Sequence, residues 1–170
     1  GNLSEPASAQ VTYDSIAPTG QSISVPAGPY ATSTSVTVAL SAVDATQVQV
    51  SVDGTFDAEP WEPYATTKTV NVPGGDGLKQ IQARFRDAAQ NTTAAASTSV
   101  TLDTDTPEGT VAIAGGAAYT RNSLVTVNLS ALPADTAQMQ LGSDVLFTGA
   151  AWQPISPSIA WDLGSGDGTK

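Results

Sequence analysis

Acidic side chains are the groups of this sequence that could perform catalysis or bind a metal, because it contains neither histidine nor cysteine. The absence of histidine and cysteine excludes histidine-based nucleophile triads and thiolate metal sites. Asp103 and Asp105 lie two residues apart at a junction between two segments, and converging carboxylates suit Ca²⁺. The chain has no D-x-D-x-D-G loop, so solvated turn residues are the competing interpretation. No other cofactor is expected.

Paired carboxylates remain one route to catalysis, since two of them suffice for a glycosidase. Asp57, Glu59 and Glu62 are spaced closely enough to be considered for that role. A related stretch further along the chain, G-A-A-W-Q-P at 149–154, lacks these acids but keeps the Trp-x-Pro element. The acids therefore vary while the element stays, and we predict that the protein is not an enzyme.

Tryptophan and proline recur together, as Trp61 with Pro63 and as Trp152 with Pro154. Aromatic rings on a sheet surface can stack on sugars, so a glycan ligand is one interpretation of these residues. Their recurrence favours a shared structural role. Trp161 stands at a strand position equivalent to a valine in the first stretch, which also favours packing.

The overall charge and composition narrow the possible partners. Six basic residues against sixteen acidic ones give a net charge of −10, which disfavours nucleic acid and anionic membranes. No apolar stretch reaches the roughly 20 residues of a membrane span. Val and Thr favour strands, and Gly and Pro favour turns, so the class is all-β. Ser- and Thr-rich loops are possible acceptors for O-linked glycans.

An internal repeat sets the architecture. S-T-S-V-T-V-A-L-S (33–41) returns as N-S-L-V-T-V-N-L-S (122–130), 89 residues later, and the Trp-x-Pro elements lie 91 apart. Apolar residues alternate with a period of two, as in Val36, Val38 and Leu40 and in Ile81, Ala83 and Phe85, which places each set on one face of a strand. A repeat of about 90 residues is the size of a seven-stranded immunoglobulin-like sandwich. We predict tandem immunoglobulin-like β-sandwiches.

The repeat also predicts where the domains begin and end. The shift of 89 places residues 89–103 on the start of the chain, so 1–14 is predicted to be the final strand of a preceding repeat. Residues 15–103 then form a complete domain. Residues 104–170 form an incomplete one that lacks the last two strands, and we do not expect them to fold well alone.

Two interpretations of the missing strands remain open. In the first, they belong to further sequence of a longer polypeptide. In the second, another chain supplies them by strand exchange, which joins identical subunits head to tail into a filament. The candidate donor is the strand-like segment made of Ser8, Ala9, Gln10, Val11, Thr12, Tyr13 and Asp14.

Three motifs carry a resemblance to a known family: W-E-P-Y-A-T-T-K-T (61–69), R-F-R-D-A-A-Q-N (84–91) and L-D-T-D-T-P (102–107). They resemble the immunoglobulin-like repeats of large bacterial extracellular proteins, although Gln90 stands where that family usually has glycine. The resemblance implies a secreted, cell-surface protein in which each repeat is a non-catalytic spacer that neighbours other repeats. The alternatives are a filament subunit and an adhesin module that binds a glycan or a receptor.

Overall fold

The chain is all-β, as the sequence predicts, and it divides into two compact units. The computed structural model describes residues 8–169. Residues 1–7, which begin the predicted leading segment 1–14, and Lys170 lie outside the described residues. The first unit ends at Asp105 and the second begins at Thr106. Within the described range, no helix has the length and apolar character that a membrane span requires.

The first unit consists of two sheets. Its strands are β1 (Thr19–Ser24), β2 (Tyr30–Ala31), β3 (Ser35–Val43), β4 (Gln47–Ser51), β5 (Glu62–Pro63), β6 (Thr67–Asn71), β7 (Gly77–Arg86) and β8 (Ala96–Leu102). One sheet has the order β1-β3-β6 and the other the order β2-β8-β7-β4-β5. All neighbouring strands are antiparallel except β2 and β8, which run parallel.

Alternating apolar residues from both sheets form one core. In β7 the side chains of Ile81, Ala83 and Phe85 are fully buried, while the residues between them are not. Val36, Val38 and Leu40 in β3 contribute the facing side in the same way. The two sheets therefore pack face to face as a sandwich, because the period of two turns every second side chain inward.

Two short strands, β2 and β5, do not follow from the apolar pattern. Each has two residues, which is too few for a period to be visible. Pro63 lies in β5 at the edge of its sheet, where the absence of an N–H group leaves no ladder hydrogen bond unmade.

The turn after β7 contains a residue with a left-handed backbone. Gln90 has a φ of 72°, a region that glycine adopts without steric cost. Its N–H donates to the carbonyl of Asp87 at 3.3 Å. The Asp87 carboxylate in turn accepts from the backbone N–H and the side-chain amide of Asn91, both at 2.9 Å. These hydrogen bonds thus hold Gln90 in a left-handed backbone conformation that is unfavourable for a residue with a side chain.

The second unit has fewer strands. They are β9 (Thr110–Ile113), β10 (Leu124–Ser130), β11 (Gln138–Met139), β12 (Gln153–Pro154) and β13 (Ser158–Asp162). One sheet has the order β13-β10-β9, and β11 pairs with β12 in a second sheet. Its buried apolar residues, among those described, are Val125, Val127 and Met139, whereas the core of the first unit holds fourteen buried residues.

The second unit repeats backbone hydrogen bonds of the first at the shifts of 89 and 91 residues. The N–H of Val72 donates to the Thr34 carbonyl at 2.9 Å, and that of Leu163 donates to Ser123 at 2.8 Å. The Leu40 N–H donates to the Thr66 carbonyl, and the Leu129 N–H donates to the Pro157 carbonyl in the same way. The Tyr64 N–H donates to the Thr46 carbonyl, and its counterpart is the Ile155 N–H, which donates to the Ala137 carbonyl. Side chains related by these shifts therefore have corresponding places in the two units.

Candidate functional site

The most distinctive surface of the second unit is an apolar groove, with a cavity volume of about 650 Å³. Its lining includes Val111, Ile113, Val127, Leu141, Phe147 and Trp161. Val111 is 63% exposed although it lies in a strand and faces this groove. An apolar concavity of this kind is a typical binding surface, because it gains stability when a partner excludes water from it.

The groove is open because no described strand covers it. In the first unit, β7 and β8 cover the corresponding face, where Ile81, Phe85 and Leu102 are buried. There β4 lies between β5 and β7, so both of its edges are paired. In the second unit, β11 pairs only with β12 among the strands of residues 8–169. An apolar face and a free strand edge therefore lie side by side.

Polar side chains on the outer face of the first unit form a ladder that joins β4 to β7. Arg84 Nε donates to Gln49 Oε1 at 2.6 Å, and Arg86 Nε donates to Gln47 Oε1 at 2.7 Å. The Arg86 guanidinium carbon also lies 4.4 Å from the ring centre of Trp61. Such stacked and bonded guanidinium groups fix the register of two strands, in addition to the backbone ladder.

The sequence pattern alone does not reveal this ladder. Its signal is present, because Q-V-Q at 47–49 and R-F-R at 84–86 both place polar residues at a period of two. The pattern becomes informative only when the pairing of β4 with β7 is known, since the two segments are far apart in the sequence.

The second unit keeps the acceptor half of the ladder. Gln138, Gln140 and Trp152 lie 91 residues after Gln47, Gln49 and Trp61. Gln140 donates from Nε2 to the Ala150 carbonyl, as Gln49 donates to the Glu59 carbonyl. No arginine contacts them within the described part of the chain, and Trp152 is 64% exposed.

The predicted structural residues occupy related but unequal environments. Pro63 and Pro154 both lie in two-residue edge strands, opposite Gln47 and Gln138. Trp161 lies in β13 and lines the groove. Trp61 is half-buried beneath Arg86, whereas Trp152 is exposed because a β7-like strand is absent from the described residues.

The calcium candidates Asp103 and Asp105 do not form a metal cluster with other described residues. Asp103 is half-buried and its N–H donates to the Ala31 carbonyl at 2.9 Å, while Asp105 is exposed. The carboxylates that come together are instead those of Asp53, Asp57 and Glu59, within 4.8 Å of one another.

Asp53 is engaged by its own turn. The backbone N–H of Thr55 and the hydroxyl of Ser51 donate to the Asp53 carboxylate and hold its pKa below the ordinary value. Asp144, 91 residues later, likewise accepts hydrogen bonds from its own turn in the second unit. The backbone N–H groups of Thr148 and Leu146 donate to its carboxylate and lower its pKa. The feature common to both units is therefore a turn cap, an aspartate whose carboxylate accepts hydrogen bonds from its own turn. Asp57 and Glu59 have no acidic counterparts in the second unit.

The candidate donor segment, Ser8 to Asp14, lies outside the strands and is exposed along its length. Val11 is 95% exposed and Tyr13 is 88% exposed. The segment is held at its end, where the side-chain amide of Asn91 donates to the Asp14 carbonyl at 3.2 Å. Its apolar side chains are consequently available to a partner.

The sequence was also compared with known proteins. No family model matches this chain, and no curated protein matches it.

Proposed function

We propose that the protein is a non-catalytic structural segment, a spacer made of tandem immunoglobulin-like repeats in an extracellular bacterial surface protein. The strand pairing of the first unit supports this proposal, because the order β1-β3-β6 facing β8-β7-β4 is similar to the A-B-E and G-F-C strands of an immunoglobulin sandwich. In that fold, stability and length are sufficient for a spacer, and no reactive side chain is needed.

One observation carries the proposal: the features that recur between the two units are those that hold the fold. They are the matched backbone hydrogen bonds, the Asp53 and Asp144 turn caps, and the Gln49 and Gln140 side-chain hydrogen bonds. The acids with catalytic potential, Asp57 and Glu59, do not recur. A repeated unit that preserves its backbone and turn hydrogen bonds and varies its exposed acidic residues is typical of a spacer.

The proposal is tested by replacement. The chain is placed between a cell-surface anchor and an epitope, and antibody access to the epitope is compared with that of an unrelated sandwich pair of similar length. A spacer predicts equal access for both and no saturable binding of the isolated chain to a glycan array. Specific glycan or cell binding, lost on Trp152→Ala, would favour the adhesin alternative instead.

The exposed Val11 and Tyr13 favour a second candidate, a filament subunit that exchanges its leading strand. This candidate predicts that the mass of the chain in sedimentation increases with concentration. The double change Val11→Asp and Tyr13→Ser should then abolish the increase. A chain that stays monomeric at all concentrations would contradict it.

A further inference from the structure

Among the described residues, the groove of the second unit and the unpaired edge of β11 lie side by side. We propose that they bind one extended strand of the β7 type, with apolar side chains toward the groove and arginines toward Gln138 and Gln140. This inference rests on the proposed function, in which the second unit is a repeat of the first. Strand addition to a free edge gains backbone hydrogen bonds, while pockets select the side chains.

The apolar side of the ligand follows from the register of β7 in the first unit. There Phe85 lies opposite Val48, and Ala83 lies opposite Val50. The shift of 91 replaces these partners with Met139 and Leu141. The strand therefore presents a large apolar residue opposite Met139 and a small one opposite Leu141, as Phe85 and Ala83 do opposite Val48 and Val50.

The polar side of the ligand follows from the ladder. In the first unit Arg86 lies opposite Gln47 and Arg84 opposite Gln49. The corresponding acceptors, Gln138 and Gln140, are present, and the exposed ring of Trp152 offers the stacking surface that Trp61 gives to Arg86. The net negative charge of the second unit agrees with this assignment, because residues 106–169 contain five acidic residues and one basic residue. A strand with two arginines complements this surface.

The leading segment of a second copy matches the groove and the β11 edge less well. Ala9, Val11 and Tyr13 alternate as an apolar face requires, but residues 8–14 contain no basic side chain. That segment could fill the groove and would leave the ladder acceptors without their arginines. The structure thus favours a β7-type strand as the occupant.

The test titrates the full chain with a synthetic peptide of sequence G-L-K-Q-I-Q-A-R-F-R, which is that of β7. The peptide has no tryptophan, so tryptophan emission reports on the protein. We expect saturable one-to-one binding, a blue shift as Trp161 becomes buried, and slower hydrogen exchange of the amides at 138–141. A peptide with serine at the positions of Ile81, Ala83 and Phe85 should not bind. One with serine at both arginine positions should bind about tenfold more weakly.

A matched pair of chain variants tests the location. Val111 in the groove and Val43 in the first unit are both exposed strand valines, at 63% and 66%. Val111→Glu should weaken peptide binding by about tenfold or more, because a charge replaces an apolar contact. Val43→Glu should leave it unchanged. Circular dichroism of both variants establishes that they remain folded.

Three results would overturn the proposal: no saturable binding of the β7 peptide, equal binding of the triple-serine peptide, or tighter binding of a peptide of residues 8–14. The last result would assign the groove to a second copy of the chain. Each of them leaves the spacer proposal standing, because epitope access is measured without any peptide. Conversely, a failed replacement experiment with normal peptide binding would reject the spacer function alone.

Discussion

The turn after β7 shows how single residues are constrained in this fold. The sequence indicated Gln90 as unusual only through the resemblance, in which glycine is the usual residue. The structure supplies the physical reason, a φ of 72° in the left-handed region. The hydrogen bonds of Asp87 and Asn91 could not be predicted, because they depend on how the turn closes.

Replacing Gln90 with glycine should stabilise the first unit. A side chain in the left-handed region is strained, and the relief exceeds the entropy gained by the unfolded glycine, so we expect about 0.5–1 kcal/mol. Gln80→Gly is the matched control, since Gln80 is exposed within β7, and it should destabilise by about the same amount. Urea unfolding measures both, and a destabilised Gln90→Gly variant would show that the strain is absent.

Three aspartates make the free energy of unfolding depend on pH in the acid range. Burial would raise the pKa of Asp87, but hydrogen bonds from Asn91, Ala89 and Gln90 outweigh it and lower the pKa, as hydrogen bonds also do for Asp53 and Asp144. The folded state then binds fewer protons than the unfolded state. The stability that these three carboxylates contribute should be complete above about pH 5 and should decrease as the pH falls through the ordinary range near pH 4 and below it.

Substitution of Asp87 by asparagine tests this dependence. The variant should have a lower melting temperature at pH 7 and a smaller loss of stability between about pH 4 and pH 2, because one of the three groups no longer titrates. Thermal unfolding across this range gives both quantities. If the variant loses as much stability in this pH range as the original chain does, Asp87 does not contribute to the pH dependence.

At the scale of elements, the apolar period of two predicted where the main strands lie, because burial on one face imposes that period. Val36, Val38 and Leu40 gave β3, and Ile81, Ala83 and Phe85 gave β7. Strands without a buried face, such as β2 and β5, left no periodic signal. The Arg–Gln ladder was missed for a related reason, since it depends on pairing between distant segments.

The central strand β7 should be the most sensitive element. Phe85 is fully buried and its ring meets Tyr64 edge to face, with centres 5.8 Å apart, so Phe85→Ala should cost about 3–5 kcal/mol. Leu78→Ala in the same strand should change stability by less than about 0.5 kcal/mol, because Leu78 is exposed. Chemical denaturation of both variants distinguishes them, and equal losses would place the core elsewhere.

At the scale of the whole molecule, the sequence repeat predicted that one part is complete and the other lacks strands. The structure divides the chain at Asp105 and Thr106 and gives the second unit few buried apolar residues. The shape of the groove could not be predicted from the sequence, because it depends on how Leu141, Phe147 and Trp161 pack beside β9 and β10.

The central difference between the two units is that the first closes its core between two sheets, whereas the second leaves an apolar groove open. Residue-resolved hydrogen exchange tests it directly, because protection follows local stability. We predict that amides of β4, β7 and β8 exchange only with global unfolding of the first unit. The amides of residues 138–141 should exchange faster by on the order of a hundredfold or more. Equal protection in the two units would contradict the account.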